Sequence, residues 1–374
     1  MKQTARIIST YSADPFGVCS ALFELGGMVI MHDASGCNST YTTHDEPRWY
    51  DMDSMVYISG LSEMEAIMGD DEKLIGDIVD AANSLHPKFI VIAGTPIPTM
   101  TGFDFTAVAE LIEDRTGIPT FGFATTGMNT YVVGANMAFE GLARRFVNRD
   151  VEKSENLSAN ILGLTPLDFS VNGSDRSMEK FLADAGFEVI SKWAMGSTLE
   201  ELTEAGRAHV NLVVSSTGLG VAKALKELFG TPYVIGTPIG SAYQEELKRA
   251  LYVAAASGKT EHTLCALPES EIAVIGEGIT SLSLAQAIEL EYGKGVKVLC
   301  TTECPENLLR EKDVFTSDEE DIIRALEGMK MVIADPLYRP ICPKDAAFMP
   351  LPAECFSGRI YRNEIPNLIA GFEG

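Results

Sequence analysis

The chain has 374 residues, 46% of them apolar, with 53 acidic side chains against 29 basic ones and a formal charge of −24. That length exceeds what one ordinary core needs and suits two or three α/β units. The charge argues against nucleic acid and anionic membrane surfaces, whose binding needs clustered Lys and Arg. No run reaches the roughly 18 uninterrupted apolar residues of a membrane span, and the stretch from Met1 to Ile8 lacks a signal peptide's apolar core, so a cytoplasmic protein is expected.

Apolar runs alternate with helical periods from end to end, the pattern of parallel α/β layers. In the first unit, expected over residues 1–155, strands are predicted at 6–9, 28–32, 89–93 and 120–124. Helices are predicted between them at 72–85 and 105–115, and one at 136–148 closes the unit. The 105–115 helix ends in Thr116-Gly117-Ile118-Pro119, a helix stop followed by strand entry, and Phe229-Gly230-Thr231-Pro232 repeats the device. The polar stretch 148–156 reads as a linker.

The second unit, 156–268, carries predicted strands at 160–164, 187–190, 210–214 and 233–236, with helices at 176–185, 219–228 and 242–257. Overlapping capping boxes in Ser197-Thr198-Leu199-Glu200-Glu201 mark a further helix start. The third unit, 269–374, has strands at 271–275, 296–300 and 329–334, helices at 283–292 and 319–328, and an irregular carboxyl-terminal segment. The fold expected is α/β with three Rossmann-like parallel-sheet units. Ligands of such sheets collect beyond the carboxyl ends of the strands, which directs attention to the loops after Ile30, Ala93, Val214, Ile275 and Ala334.

Seven cysteines in a chain without secretory features argue against a disulfide framework. They stand at Cys19, Cys37, Cys265, Cys300, Cys304, Cys342 and Cys355, with no CxxC pair, so a self-contained ferredoxin motif or zinc ribbon is absent. Any cluster would be assembled from scattered loops or from two chains. Cys37 is the best placed. The run Met28 to Met31 ends in the small-residue loop His32-Asp33-Ala34-Ser35-Gly36-Cys37, and thiolates at such strand-to-loop junctions are common iron–sulfur ligands. The alternative is a structural cysteine beside a tight turn. Cys19, in Pro15-Phe16-Gly17-Val18-Cys19, falls in the first turns of a helix, where a thiol is either a buried core cysteine, the reading favoured, or one with a depressed pKa. His32, Asp33 and His44 flank Cys37 and are candidate proton donors; Arg48, Trp49 and Tyr50 follow as candidate substrate or partner contacts. Gly276-Glu277-Gly278-Ile279-Thr280-Ser281, between a strand and a helix, has the outline of a dinucleotide fingerprint. Arg339 supplies a cation at the end of the last strand, a candidate anion contact for a substrate in the central cleft. Cys300, Cys304, Cys342 and Cys355 would form a separate metal site or stand as isolated structural thiols.

The order of these segments resembles the component 1 family of nitrogenase-like oxidoreductases. The glycine–cysteine loop is followed by Tyr57-Ile58-Ser59-Gly60-Leu61-Ser62-Glu63, then by a strand opening into Gly94-Thr95-Pro96. The resemblance implies a [4Fe-4S] cluster bridging two chains, with Cys37 as ligand and Cys19 and Asp14 as further candidates. It also implies electrons from an ATP-dependent reductase resembling the nitrogenase iron protein, and a homodimer or a heteromer with a paralogous subunit. Three departures matter. Thr95 stands where the family often has a third cysteine. Ser215 stands where the dinitrogen-reducing members anchor their cofactor by cysteine, and no histidine occurs near Phe356-Ser357-Gly358. Dinitrogen reduction on an iron–molybdenum cofactor is therefore not expected, and the cavity near Ser215, Gly276 and Arg339 is assigned to an organic or tetrapyrrole substrate. Two rivals remain: a non-redox scaffold binding a metal or cofactor, and an NAD-linked dehydrogenase using the Gly276 turn.

Overall fold

The structure, a computed structural model, describes residues 5–36, 38–262 and 267–371. Among the described residues fourteen strands form three sheets, parallel throughout their named pairings. The first contains β1 (Met28–Met31), β2 (Met55–Ile58), β3 (Ile90–Ala93) and β4 (Thr120–Phe123), in the order β2-β1-β3-β4. The second contains β5 (Ser158–Leu164), β6 (Glu188–Ala194), β7 (Val210–Val213), β8 (Tyr233–Ile235) and β9 (Glu261–His262), ordered β6-β5-β7-β8-β9. The third contains β10 (Ile272–Gly276), β11 (Val296–Cys300), β12 (Val314–Phe315), β13 (Met331–Ala334) and β14 (Ala347–Pro350), ordered β12-β11-β10-β13-β14. In each sheet the first strand lies inside and the order reverses beside it, between β1 and β3, β5 and β7, and β10 and β13. Those are the switch points where the loops at the carboxyl ends part and leave a crevice.

Parallel strands covered on both faces are written as continuous apolar runs, and β1, β3 and β7 are buried at every position. Within β1 the faces still alternate. Met28 and Ile30 join Leu74, Ile75 and Ile78 of the helix Glu72–Leu85, while Val29 and Met31 join the larger core around Phe16 and Phe139.

Several expectations need revision. Residues 6–9 form no strand. The backbone N–H groups of Arg6 and Ile7 are taken by the Glu319 carboxylate, and Ile8 is 66% exposed. Strands β2, β9, β12 and β14 are not among those expected; all four sit at a sheet edge, and β2, β12 and β14 include exposed positions, so they do not read as apolar runs. The helix placed at 136–148 runs Tyr131–Phe146, and the one placed at 283–292 starts at Gly278.

The helix Asp14–Leu22 lies directly against Tyr131–Phe146. A Cβ on Gly17 would sit 1.9 Å from Tyr131 O, and one on Gly134 would sit 1.9 Å from Asp14 O. The backbones touch there, which seats Tyr131 and the 126–129 loop. Gly134→Ala is expected to destabilise the chain by about 2 kcal/mol or more, since the obstruction is backbone and cannot move aside. Gly76→Ala, in a helix with nothing within 4 Å of the new methyl, is expected to stabilise by about 0.5–1 kcal/mol. Urea midpoints of the two variants moving in opposite directions check this close approach.

Candidate functional site

The loops at the switch points of the second and third sheets meet around one buried acid, Asp168. β5 ends in Thr165-Pro166-Leu167-Asp168, where Pro166 opens a short helix, Pro166–Phe169. The Asp168 carboxylate receives the Thr165 hydroxyl at 2.9 Å, the Ser215 hydroxyl at 2.6 Å and the Tyr131 hydroxyl. Ser215 comes from the loop after β7, and Tyr131 from the first turn of its helix. Burial, with the Glu277 charge second, pushes the Asp168 carboxyl up to about 7 despite those three donors.

Glu277 caps the helix Gly278–Tyr292 from the turn after β10. It accepts Ile279 N at 3.0 Å and Thr280 N at 2.9 Å, and also Ser216 N at 2.9 Å from the second sheet's loop. A cavity of about 70 Å³ lies between these loops and the carboxyl-terminal segment, walled among others by Asp168, Glu277, Thr237, Cys355 and Phe356. The carboxyl-terminal wall is tied down by Asp335, whose carboxylate takes Ala353 N at 3.1 Å and the Ser357 hydroxyl at 2.8 Å. Burial raises the Cys355 thiol well above its ordinary range, and Asp168 beside it adds to that.

Ser215 is buried behind this cleft as a donor to Asp168, and Gly276 lines it, at a close approach where a Cβ would stand 2.7 Å from Ser281 Oγ. Arg339 does not. Its guanidinium is exposed, lies 5.9 Å from the Phe348 ring centroid, and borders an outer groove with Arg6 and Lys344. Asp168 is a candidate residue missed in the sequence, because the loop after Leu164 is not among the strand ends singled out; the Thr165-Pro166 helix start marks it. The dinucleotide reading also fails on geometry. The Glu277 carboxylate occupies the N–H groups at the helix start to which a pyrophosphate would bind, and Glu303, which follows the next strand where a ribose-binding acid would lie, accepts Thr130 N at 3.1 Å.

At the first sheet, Cys37 lies outside the described residues, as does Cys265. Positions 34–36 are exposed, and Asp33 is buried with its carboxylate bonded to Asn38 Nδ2 at 2.8 Å. Thr95 is buried, its hydroxyl shared between His32 O at 2.8 Å and Asp33 Oδ1 at 3.1 Å. His44 is half-buried in the π-helical turn Tyr41–Asp45. Burial pulls the His32 imidazole down to about 4, and its Nδ1 lies 2.8 Å from Ser59 Oγ.

The other two candidate ligands are turned inward. Asp14 is fully buried, and its carboxylate takes Thr126 N at 3.0 Å, Gly127 N at 2.7 Å and Asn129 Nδ2 at 3.1 Å. Cys19 is fully buried, and burial with the Glu46 charge raises its thiol rather than depressing it. Arg48 is buried as well, bonded to Glu46 at 2.6 Å, Glu24 at 2.9 Å and Ser20 O at 2.7 Å, and so is not a surface contact. Among the described residues no group of three His, Cys, Asp or Glu side chains is arranged to hold a metal ion. The described part of one chain therefore does not make a complete cluster site.

The family described as Nitrogenase component 1 type Oxidoreductase matches residues 13–333. One of the subunits of the light-independent protochlorophyllide reductase of Leptolyngbya boryana is 31% identical over 185 residues, 46% of this chain and 36% of that protein. The nitrogenase iron-molybdenum cofactor biosynthesis protein NifE of Rippkaea orientalis is 26% identical over 282 residues, 73% of this chain and 57% of that protein. The chain thus spans well under two thirds of the length of these relatives. A solved structure of nitrogenase Cp1 at pH 6.5 superposes with a TM-score of 0.72 over 99% of this chain and 92% of that one, at 15% identity, a likeness of fold. No helix among the described residues is long and apolar enough to cross a membrane.

Asp168 also makes a stability prediction. Its folded pKa of about 7 lies above the ordinary 3.8, so the folded chain holds a proton that the unfolded chain releases. Its contribution is fully present below about pH 4 and is lost as pH rises through 7, at about 1 kcal/mol per pH unit. His32 acts oppositely, since its lowered pKa costs stability as pH falls below about 6.5. Urea unfolding of wild type and Asp168→Asn between pH 5 and 7.5 isolates the first effect. The wild type is expected to lose stability relative to the variant as pH rises, and parallel curves would refute the raised pKa.

Proposed function

The chain belongs to the nitrogenase component 1 type oxidoreductases, and on that premise we propose that it is a reductase subunit acting on a small organic substrate in the cleft around Asp168. The observation that carries this reading is the Asp168 carboxyl itself, buried on the cavity wall with a pKa pushed up to about 7. Reductions by several electrons consume protons, and an acid with its pKa near the working pH delivers them best. Tyr131, Thr165 and Ser215 hold the carboxyl in place and supply the hydrogen bonds that its anion needs after a proton leaves. The nearby Glu277 charge favours return of the proton. A cavity of about 70 Å³ suits a small group and would have to open for anything the size of a tetrapyrrole.

Electrons, in this reading, come from an ATP-dependent reductase resembling the nitrogenase iron protein, and a [4Fe-4S] cluster between two subunits would supply them singly. Cys37 is this chain's ligand to it, with His44 and Asp33 beside that loop as proton carriers. Thr95, Asp14 and Cys19 are each committed to internal contacts. The remaining ligands then fall to the other subunit, which favours a paralogous partner over a second copy. One observation favours the scaffold reading as a rival: the cofactor-biosynthesis relative matches 73% of the chain, against 46% for the reductase relative.

Iron and acid-labile sulfide separate the two. Anaerobic purification of the chain with a co-expressed paralogue is expected to yield about four irons per bridging site, lost on Cys37→Ala. Iron absent from both proteins after anaerobic reconstitution would sink the redox reading and leave the scaffold.

A further inference from the structure

The thiols of Cys300 and Cys304 converge on Gly278. Cys300 ends β11 and is buried, whereas Cys304 lies in the loop beyond and is half-buried. A Cβ on Gly278 would stand 2.6 Å from Cys304 Sγ and 3.3 Å from Cys300 Sγ, so both sulfurs rest against that one glycine. Cys300 Sγ donates to Thr302 O at 3.1 Å, a contact within the segment that joins the two cysteines. Cys304 is the leading influence that raises the Cys300 thiol, with burial second. Among the described residues no third ligand joins the pair to make a metal site, so its chemistry is that of a dithiol.

We propose that Cys300 and Cys304 form a reversible intrachain disulfide by exchange with a low-molecular-weight disulfide of the glutathione type. The half-exposed Cys304 is the entry point. Its thiolate attacks one sulfur of the small disulfide, forming a mixed disulfide and releasing the first small thiolate, which takes up a proton. Cys300, losing its proton, then attacks Cys304 Sγ, and the second small thiolate leaves and is protonated. The pair gives up two electrons and two protons; the small disulfide takes both and departs as two thiols.

The loop that the bond would close also grips the first unit. Glu303, between the two cysteines, accepts Thr130 N at 3.1 Å and the Thr130 hydroxyl, and Thr130 precedes the helix whose Tyr131 bonds Asp168. Oxidation restrains that joint whether or not the chain is a reductase, so this inference stands apart from the proposed function.

The test uses the full chain, fully reduced and then equilibrated anaerobically across ratios of oxidised to reduced glutathione. Acid quenching, alkylation and peptide mass spectrometry follow. A linked 300–304 peptide is expected to grow with the oxidised fraction and to disappear on return to reducing buffer, with Cys19 and Cys355 unchanged. In Cys300→Ser, lacking the resolving thiol, the glutathione adduct is expected to accumulate on Cys304. Thiols that remain alkylable at every ratio would overturn the proposal. So would a lasting adduct on wild-type Cys304, or a bond from Cys304 to any other cysteine.

Discussion

Four donors converge on the Glu277 carboxylate: Ser216 N from the loop after β7, Ile279 N, Thr280 N and the Thr280 hydroxyl. A carboxylate is the only side chain that could satisfy all of them at once. Ser216 belongs to the second sheet's loop and the helix to the third, so this group ties the two together, alongside Thr237 N on Ser283 Oγ. Its charge then shapes what lies next to it. Glu277 takes the backbone N–H contacts at a helix start. Asp168 is left with hydroxyls and burial, and its pKa rises. One carboxylate ties the second and third sheets' loops together, and the other is a buried acid with a raised pKa.

Glu277 also explains why the Gly276-Glu277-Gly278 turn misleads when read as a string. The glycines are required by packing: Gly276 for Ser281 and Gly278 for the two cysteine side chains. A phosphate-binding turn needs the same small residues but leaves its N–H groups open, and here the intervening side chain fills them. Periodicity revealed the three-unit α/β architecture because buried parallel strands are continuous apolar runs. It missed β2, β12 and β14 because their partly exposed positions break that signal. Of the site, Ser215 and Gly276 were legible from their strand-end positions. Asp168 and Tyr131 were not, since their meeting depends on a helix contact made backbone to backbone through Gly17 and Gly134. Arg339 was placed in the cleft by proximity to a strand end, but the chain turns outward there and the guanidinium lies by Phe348.

The loops of the first sheet show the same economy of hydrogen bonds. Thr95 closes the crevice between β1 and β3 by bonding His32 O and Asp33, and Asp14 closes the 126–129 loop with three N–H donors. Each is a position where the family resemblance placed a ligand. Asp14 is held by three N–H donors, and turning it toward an outside ion would strand those amides.

The segment 126–131 joins these regions physically. It begins at the amides capped by Asp14, passes Thr130 in the grip of Glu303, and ends at Tyr131 on Asp168. The proton-holding acid, the loop carrying Cys300 and Cys304, and the rim of the first sheet therefore share one short length of backbone. Its path is set by direct hydrogen bonds at each end and in the middle, so a shift at Thr130 moves the Tyr131 hydroxyl relative to the Asp168 carboxylate. That hydroxyl stabilises the ionised acid, and withdrawing it would raise the Asp168 pKa further. The position of one tyrosine thus links the junction of the first and third units to how readily the central proton leaves.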